Sequence, residues 1–239
     1  MFCRKTILAV VLSVLTGSAS AYAPAVPVAD LELFLGVAPG AISAISPGPD
    51  SAIEGSAIRD SFGFVVNDVI SFDYNFMTDE VPPVDYVNDY AFVSIGGQVT
   101  LLDHVLRTPP LLASSPYYLE TGNQTFSFLA PSTGYFNFGI GVVDVADGVV
   151  DSALLIDNIQ ITRAGNVEYL EGFEVFDPIS IGDVEAGGAF FGRLPTEGNY
   201  QTLITTAPSV APVPLPPAAW LLFSGVAALM GLSRKQRNS

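Results

Sequence analysis

Two stretches of this chain alternate apolar and polar residues with a period of two. In ISFDYNFM, Ile70, Phe72, Tyr74 and Phe76 fall on one face, and Ser71, Asp73 and Asn75 on the other. In GYFNFGIGVVDV, Phe136, Phe138, Ile140 and Val142 alternate with Asn137, Gly139 and Gly141. A helix with its period of 3.6 would scatter these side chains around its axis, whereas a half-buried antiparallel strand gathers them on one side. Further strands are predicted at 90–95, 98–103, 124–129, 153–162 and 199–205, separated by turn clusters such as PGPDS, PSTG and VADG. Short strands joined by turns predict an all-β fold, an antiparallel β-sandwich or jelly roll over 30–207. Only 30–36 (DLELFLG) and 101–107 offer helical turns.

The charge on this region is one-sided. All 24 acidic residues lie between Asp30 and Glu197, opposed there only by Arg59, Arg107, Arg163 and Arg193, so the region carries about −20. Phosphate would be repelled, which excludes a nucleic-acid partner. The remaining readings are solubility by self-repulsion and carboxylates gathered around cations.

Both ends differ from the middle. Arg4 and Lys5 precede an apolar run from Ile7 to Leu15, followed by Ala19-Ser20-Ala21. This is the pattern of a secretory signal peptide over 1–21, cleaved after Ala21. Cys3 leaves with it, so the mature chain has no cysteine and its stability must come from core size or bound ions. At the other end, a Pro-rich linker at 208–217 leads into an uncharged run from Ala218 to Leu232 within a predicted membrane helix at 218–233. Those residues reach roughly 23 Å as a helix, short of the ~30 Å hydrocarbon core unless the flanks help. Arg234, Lys235 and Arg237, in the basic tail 234–239, would hold the C-terminus on the cytoplasmic side.

By composition alone this is a tail anchor. Val213, Pro214 and Pro216, then Ala-Ala-Trp-Leu-Leu, a small-residue apolar run and the basic cluster closely resemble the PEP-CTERM sorting signal of Gram-negative bacteria. Leu215 stands where that family usually has Glu. The resemblance implies an exosortase-type transpeptidase as partner, export by the Sec pathway, transient insertion of the tail in the inner membrane, and transfer to the cell surface or extracellular matrix. The blocks LELFLGVAPGAI, EGSAIRDSF, ISFDYNFMTDE, NDYAFVSI, ETGNQTFSF and GVVDVADGVVDSALLIDNI, over 31–162, resemble a domain recurrent in PEP-CTERM proteins. More distantly, LLIDNI and GFEVFDPISIGDVEA are similar to the closing and opening strands of carbohydrate-binding jelly rolls. In that fold a structural calcium ion often bridges an opening-strand Glu and a closing-strand Asp. The order here is unusual, because the segment that normally opens the domain follows LLIDNI. A circular permutation, with 168–206 supplying the opening strands, is one explanation. A truncated second copy is the other, and such a half-domain could not bury a core by itself.

Few residues point to chemistry. Straight alternation puts Asp157 on one face with Leu155, Ile159 and Ile161, a carboxylate aimed at an apolar interior. Calcium, with six to eight oxygen ligands, is a fitting partner where lysine is absent. The resemblance points to Glu174 as a second ligand; Asp151, Asp147 and Asp144 form an acidic group at the preceding turn, and Glu54 and Asp89 are further contributors. The alternative is that Asp157 caps a strand end by accepting backbone N–H bonds. His104 is the only histidine, no G-x-S-x-G elbow surrounds any serine, and one His without mature Cys excludes zinc sites built on several such ligands. No enzyme is expected, and His104 reads as a surface or turn residue. Tyr117, Tyr118, Tyr86 and Tyr90 are candidate platforms for sugars, or covers for the ends of a sandwich; Trp220, the only tryptophan, belongs to the tail. The expectation is an exported, non-catalytic surface or matrix protein associated with exopolysaccharide. Its alternative is a calcium-stabilised carbohydrate-binding module.

Overall fold

The computed structural model describes residues 25–80, 88–107, 111–112, 117–146, 150–169, 179–186 and 202–206. The expected signal peptide, the sorting motif with its basic tail, Tyr86, Asp147 and Glu174 lie outside them. Among the described residues no helix is long and apolar enough to cross a membrane.

The chain is mostly β and forms two antiparallel sheets packed as a sandwich. The strands are β1 (Val26–Pro27), β2 (Ala52–Phe64), β3 (Val69–Thr78), β4 (Tyr90–Ile95), β5 (Gln98–His104), β6 (Leu111–Leu112), β7 (Leu119–Glu120), β8 (Gln124–Leu129), β9 (Gly134–Val145), β10 (Ser152–Arg163), β11 (Asn166–Tyr169), β12 (Ile179–Ile181), β13 (Asp183–Ala186) and β14 (Thr202–Thr205). The first sheet runs β1-β2-β9-β4-β5, with β12 also on β2. The second runs β13-β14-β10-β3-β7-β6, with β8 also on β3 and β11 on β10. Residues 101–104 are strand, so the helical turn anticipated at 101–107 does not form there.

The alternation seen in the sequence builds the core. Phe72, Tyr74 and Phe76 of β3, Leu154 and Ile156 of β10 and Ile204 of β14 meet Ile58, Val93, Phe138, Ile140 and Val142 from the other sheet. Phe72 and Phe138 touch across the layers, edge to face at 5.9 Å between ring centroids. Such pairs add to the burial of apolar area that drives the two sheets together.

The first sheet is covered on its outer face as well. Helix α1 (Val28–Leu35) and the 3₁₀ turn Ser43–Ile45 flank a second apolar cluster containing Leu31, Leu35, Ile42, Tyr90, Phe92, Val143 and Val145. Glu32 is buried beneath this cover, where its carboxylate accepts the N–H groups of Gly40 at 2.8 Å and Ile42 at 3.0 Å. Tyr90 is completely buried, and its hydroxyl donates to the Ile42 carbonyl at 2.7 Å. The N–H and the carbonyl of Ile42 are therefore both satisfied by side chains, as buried backbone requires.

The late strands belong to both sheets. β12 pairs with β2, in register Ile179↔Arg59 to Ile181↔Ala57, and β13 pairs with β14, which pairs with β10. The chain crosses between the layers at Gly182, whose φ of +81° favours glycine and whose missing side chain leaves space for Ser56. The Ser56 hydroxyl locks the crossing: it accepts Asp183 N–H and donates to Thr205 O, each at 2.8 Å. Where they are described, residues 168–206 are thus not a detached half-domain.

Candidate functional site

The outer face of the second sheet sets acidic and hydroxyl groups beside an apolar strip. Side chains alternate along each strand, and directly opposed residues share a face. Because Leu154 and Ile156 point into the core, Ala153 and Leu155 point outward, opposite Met77 and Asn75 of β3 and Thr205 and Leu203 of β14. Met77, Ala153, Leu155 and Leu203 form an apolar strip against which Tyr117 packs. The Tyr117 hydroxyl lies 3.1 Å from Thr205 Oγ1. Beside it, Asp183, Glu185, Leu203 and Thr205 line an open cleft of about 160 Å³. On the strip's other side, Asn75 Nδ2 donates to Glu120 Oε2 at 2.9 Å, with both residues buried.

Carboxylates set the electrostatics of this region. Asp79 N–H donates to the Asp151 carbonyl at 3.0 Å, and Tyr118 N–H donates to Asp79 Oδ1 at 2.8 Å, which brings Tyr118 to the same end of the sheet. Burial raises the pKa of Asp151, and the Asp79 charge adds to the rise. Burial raises Asp183 too. The Tyr117 hydroxyl is pushed up chiefly by burial; its bond to Thr205 opposes this, while Asp151, Asp79 and Asp183 add to it. The cleft can therefore accept hydrogen bonds and attract cations, and it repels anions.

These shifts set a pH dependence. Asp151 and Asp183, with Asp103 raised by burial in the same way, hold protons in the folded chain above the ordinary value of 3.8. The folded state then binds more protons than the unfolded one, so stability rises as pH falls through the raised values toward 3.8. Relief of repulsion among about 20 excess negative charges has the same sign. Asp68 works the other way. Its bonds to Arg163 hold it below 3.8, and its contribution is lost once pH falls through that lowered value. Calorimetric melting should show a higher midpoint at about pH 4.5 than at pH 7, with a decline only in stronger acid.

The structure corrects the placement of Asp157. A β-bulge interrupts the β10–β3 register between Asp157 and Gln160, with Asn158 at φ 57°. The extra residue reverses the alternation, so Ile159 and Ile161 return to the core while Asp157 stays on the outer face with Leu155. Asp157 is 1% exposed, stands opposite Asp73, and accepts Asn158 N–H through Oδ1 at 2.7 Å. Asp73 accepts Asn158 Nδ2 at 2.9 Å and Thr125 Oγ1 at 2.6 Å. In this arrangement Asp157 caps a bulge.

The other expected ligands divide between sites. Asp151 lies near Asp79 and Tyr117, at the start of β10. Asp144 stands opposite Glu54 in the first sheet, and Asp89 accepts Val145 N–H there at 2.8 Å. Among the described residues no group of three or more His, Cys, Asp or Glu is placed to hold a metal ion.

Of the tyrosines, Tyr90 offers no platform, because its ring is sealed beneath α1. Burial, reinforced by Glu32, raises its pKa. Tyr118 is exposed, and Tyr117 is half-buried beside the cleft. His104 sits in β5 rather than a turn, half-buried, with Nδ1 3.3 Å from Asn88 Oδ1. Burial lowers its pKa despite the neighbouring Asp103.

The fold and its outer face define an anionic β-sandwich with an acceptor-lined cleft. Compared with protein-family models, with curated proteins and with solved structures, the chain matches none.

Proposed function

We propose that this chain is an exported, non-catalytic protein of the cell surface or extracellular matrix, delivered by an exosortase through its PEP-CTERM-like tail and associated with exopolysaccharide. The observation that carries this reading is where the positive charges go. Arg59 donates to the Phe34 carbonyl and lies over the Phe34 ring, Arg107 pairs with Asp103 at 2.9 Å, and Arg163 pairs with Asp68 at 2.7 Å. Each described arginine is held by a partner within the chain, so the carboxylates that reach the surface, among them Asp30, Asp60, Asp79, Glu168 and Glu185, meet little compensation. Such a surface stays soluble by self-repulsion and recruits divalent cations, which bridge it to anionic polymer. The same reading takes the sandwich as a jelly roll in permuted order, supported by the pairing of 202–205 with 153–156 and of 179–181 with 57–59.

Mass spectrometry of the protein recovered from its host tests this. Expected are a new N-terminus after Ala21 and a second cut near Val213–Pro216, in material from the cell exterior. An intact polypeptide held in the inner membrane through 218–232 would overturn the proposal.

A second reading, a calcium-stabilised carbohydrate-binding module, is favoured by the cleft beside Tyr117. It expects glycan-array binding that Tyr117→Ala abolishes and a melting temperature that rises with Ca²⁺ and falls with EDTA. Unaltered melting in both would remove the ion from the account.

A further inference from the structure

The two sheets end, on one side of the sandwich, in strands β5 and β8, and Tyr74 of β3 reaches across there to donate to the Leu102 carbonyl of β5 at 3.1 Å. Among the described residues each of these strands has a neighbour on one side only. Open edges invite other strands, and proteins usually blunt them with charge, proline or a bulge. β5 is blunted: its pairing with β4 is bulged at Ala91/Phe92, and it carries a charge next to its last residue, Asp103, which holds Arg107. β8 is not. QTFSFL contains no charge, no proline and no glycine, and its register with β3 runs unbroken from Val69↔Leu129 to Tyr74↔Gln124. Its side chains are not sealed: Phe126 and Phe128 reach the core yet remain only partly buried, and Leu129 is 58% exposed. The core aromatics on this edge are unfinished.

We propose that β8 pairs antiparallel with β8 of a second copy of this chain, joining two eight-stranded sheets across a two-fold axis. Centred on Ser127, this register sets Phe126 against the partner copy's Phe128 and Thr125 against its Leu129. Such aromatic cross-strand pairs stabilise sheets, and an isologous contact closes on itself as a dimer. Charge does not oppose this occupant at β8. Two bodies of about −20 repel wherever their carboxylates meet, and β8 offers a strip without any. The nearest carboxylate along its pairing, Asp73, lies one strand in, on β3. The two copies' β3 strands would be about 14 Å apart at three strand spacings, beyond the ~8 Å screening length at physiological salt.

The test uses protein purified from cells expressing the full chain. Ser127→Cys adds a thiol at the axis, and the parent, which has no cysteine once Cys3 has left with the signal peptide, is the control. Expected are a disulfide-linked dimer on non-reducing gels for Ser127→Cys alone, and twice the monomer mass for the parent in sedimentation, rising with salt. Ser127→Lys, which sets two ammonium groups face to face, should halve that mass while still melting cooperatively, with a midpoint that no longer depends on protein concentration; Thr125→Lys provides a second edge charge if the first variant folds poorly. A parent that is monomeric at high salt, a dimer that survives both lysines, or capture of the thiol in Ser127→Cys by a different protein would each overturn the proposal.

Discussion

Gly141→Val is expected to destabilise the fold by about 3 kcal/mol, the upper part of the range for overpacked cores. A Cβ at this position would lie 2.6 Å from the Phe92 ring and 2.8 Å from the Ser56 carbonyl oxygen. The carbonyl belongs to the β2–β9 ladder and has no room to yield, so strand or ring must shift. Gly139 has the same office two residues earlier, where an added carbon would strike Leu35 of α1. The pair leaves a shallow trough on the outer face of the first sheet, and the α1 cover sinks into it. Denaturant unfolding checks this, with Gly134→Ala as the control. An added Cβ there meets nothing closer than 3.9 Å, and the midpoint should stay within about 0.5 kcal/mol of the parent. If Gly141→Val matched the parent, the close approach of Phe92 would not be structural.

Glu32→Ala should cost a similar amount, about 3 kcal/mol, because it removes two charge-assisted hydrogen bonds and leaves two N–H groups in an apolar setting. Glu32 is 5% exposed, and its carboxylate reaches eight and ten residues along the chain to Gly40 and Ile42. Glu32→Gln keeps one acceptor oxygen and should lose about half as much. The loss should appear first as local opening, with faster hydrogen exchange at the Gly40 and Ile42 amides than in β9. Equal protection in parent and variant would show that packing of Leu31, Leu35 and Ile42 holds this cover without the carboxylate.

Much of the sandwich is legible in the sequence because its inner faces alternate cleanly. β3, β4, β5, β8, β9 and β10 fall within a few residues of their predicted positions. β2 escapes the pattern, although it is the longest strand and contributes Ile58, Phe62 and Phe64 to the core. Its sequence, AIEGSAIRDSFGF, carries two glycines and a buried serine, Ser56, and it lies beneath α1 for part of its length. A strand covered on both faces loses the polar half of the alternation that reveals other strands. The misplacement of Asp157 has a different origin. Period two assumes an unbroken strand, and one inserted residue inverts every face beyond it. Asn158, a residue tolerant of positive φ, is the available signal. Tyr117, Asp151 and Asp79 come from separate stretches of the chain, and their approach to the Asp183–Thr205 cleft depends on pairings that no local pattern encodes.

The crossing at Gly182 has a consequence for timing. Any route that releases the chain from its N-terminus presents residues 26–163 first, and these can assemble most of both layers. Until residues 179–205 follow, β10 keeps an open side and β2 lacks its β12 neighbour. The final strands then close both layers in one stroke, as a buckle closes a strap. Up to that moment the nascent domain shows a bare edge to its surroundings, and the interval in which it is open to mispairing or proteolysis is set by how quickly its last few dozen residues arrive.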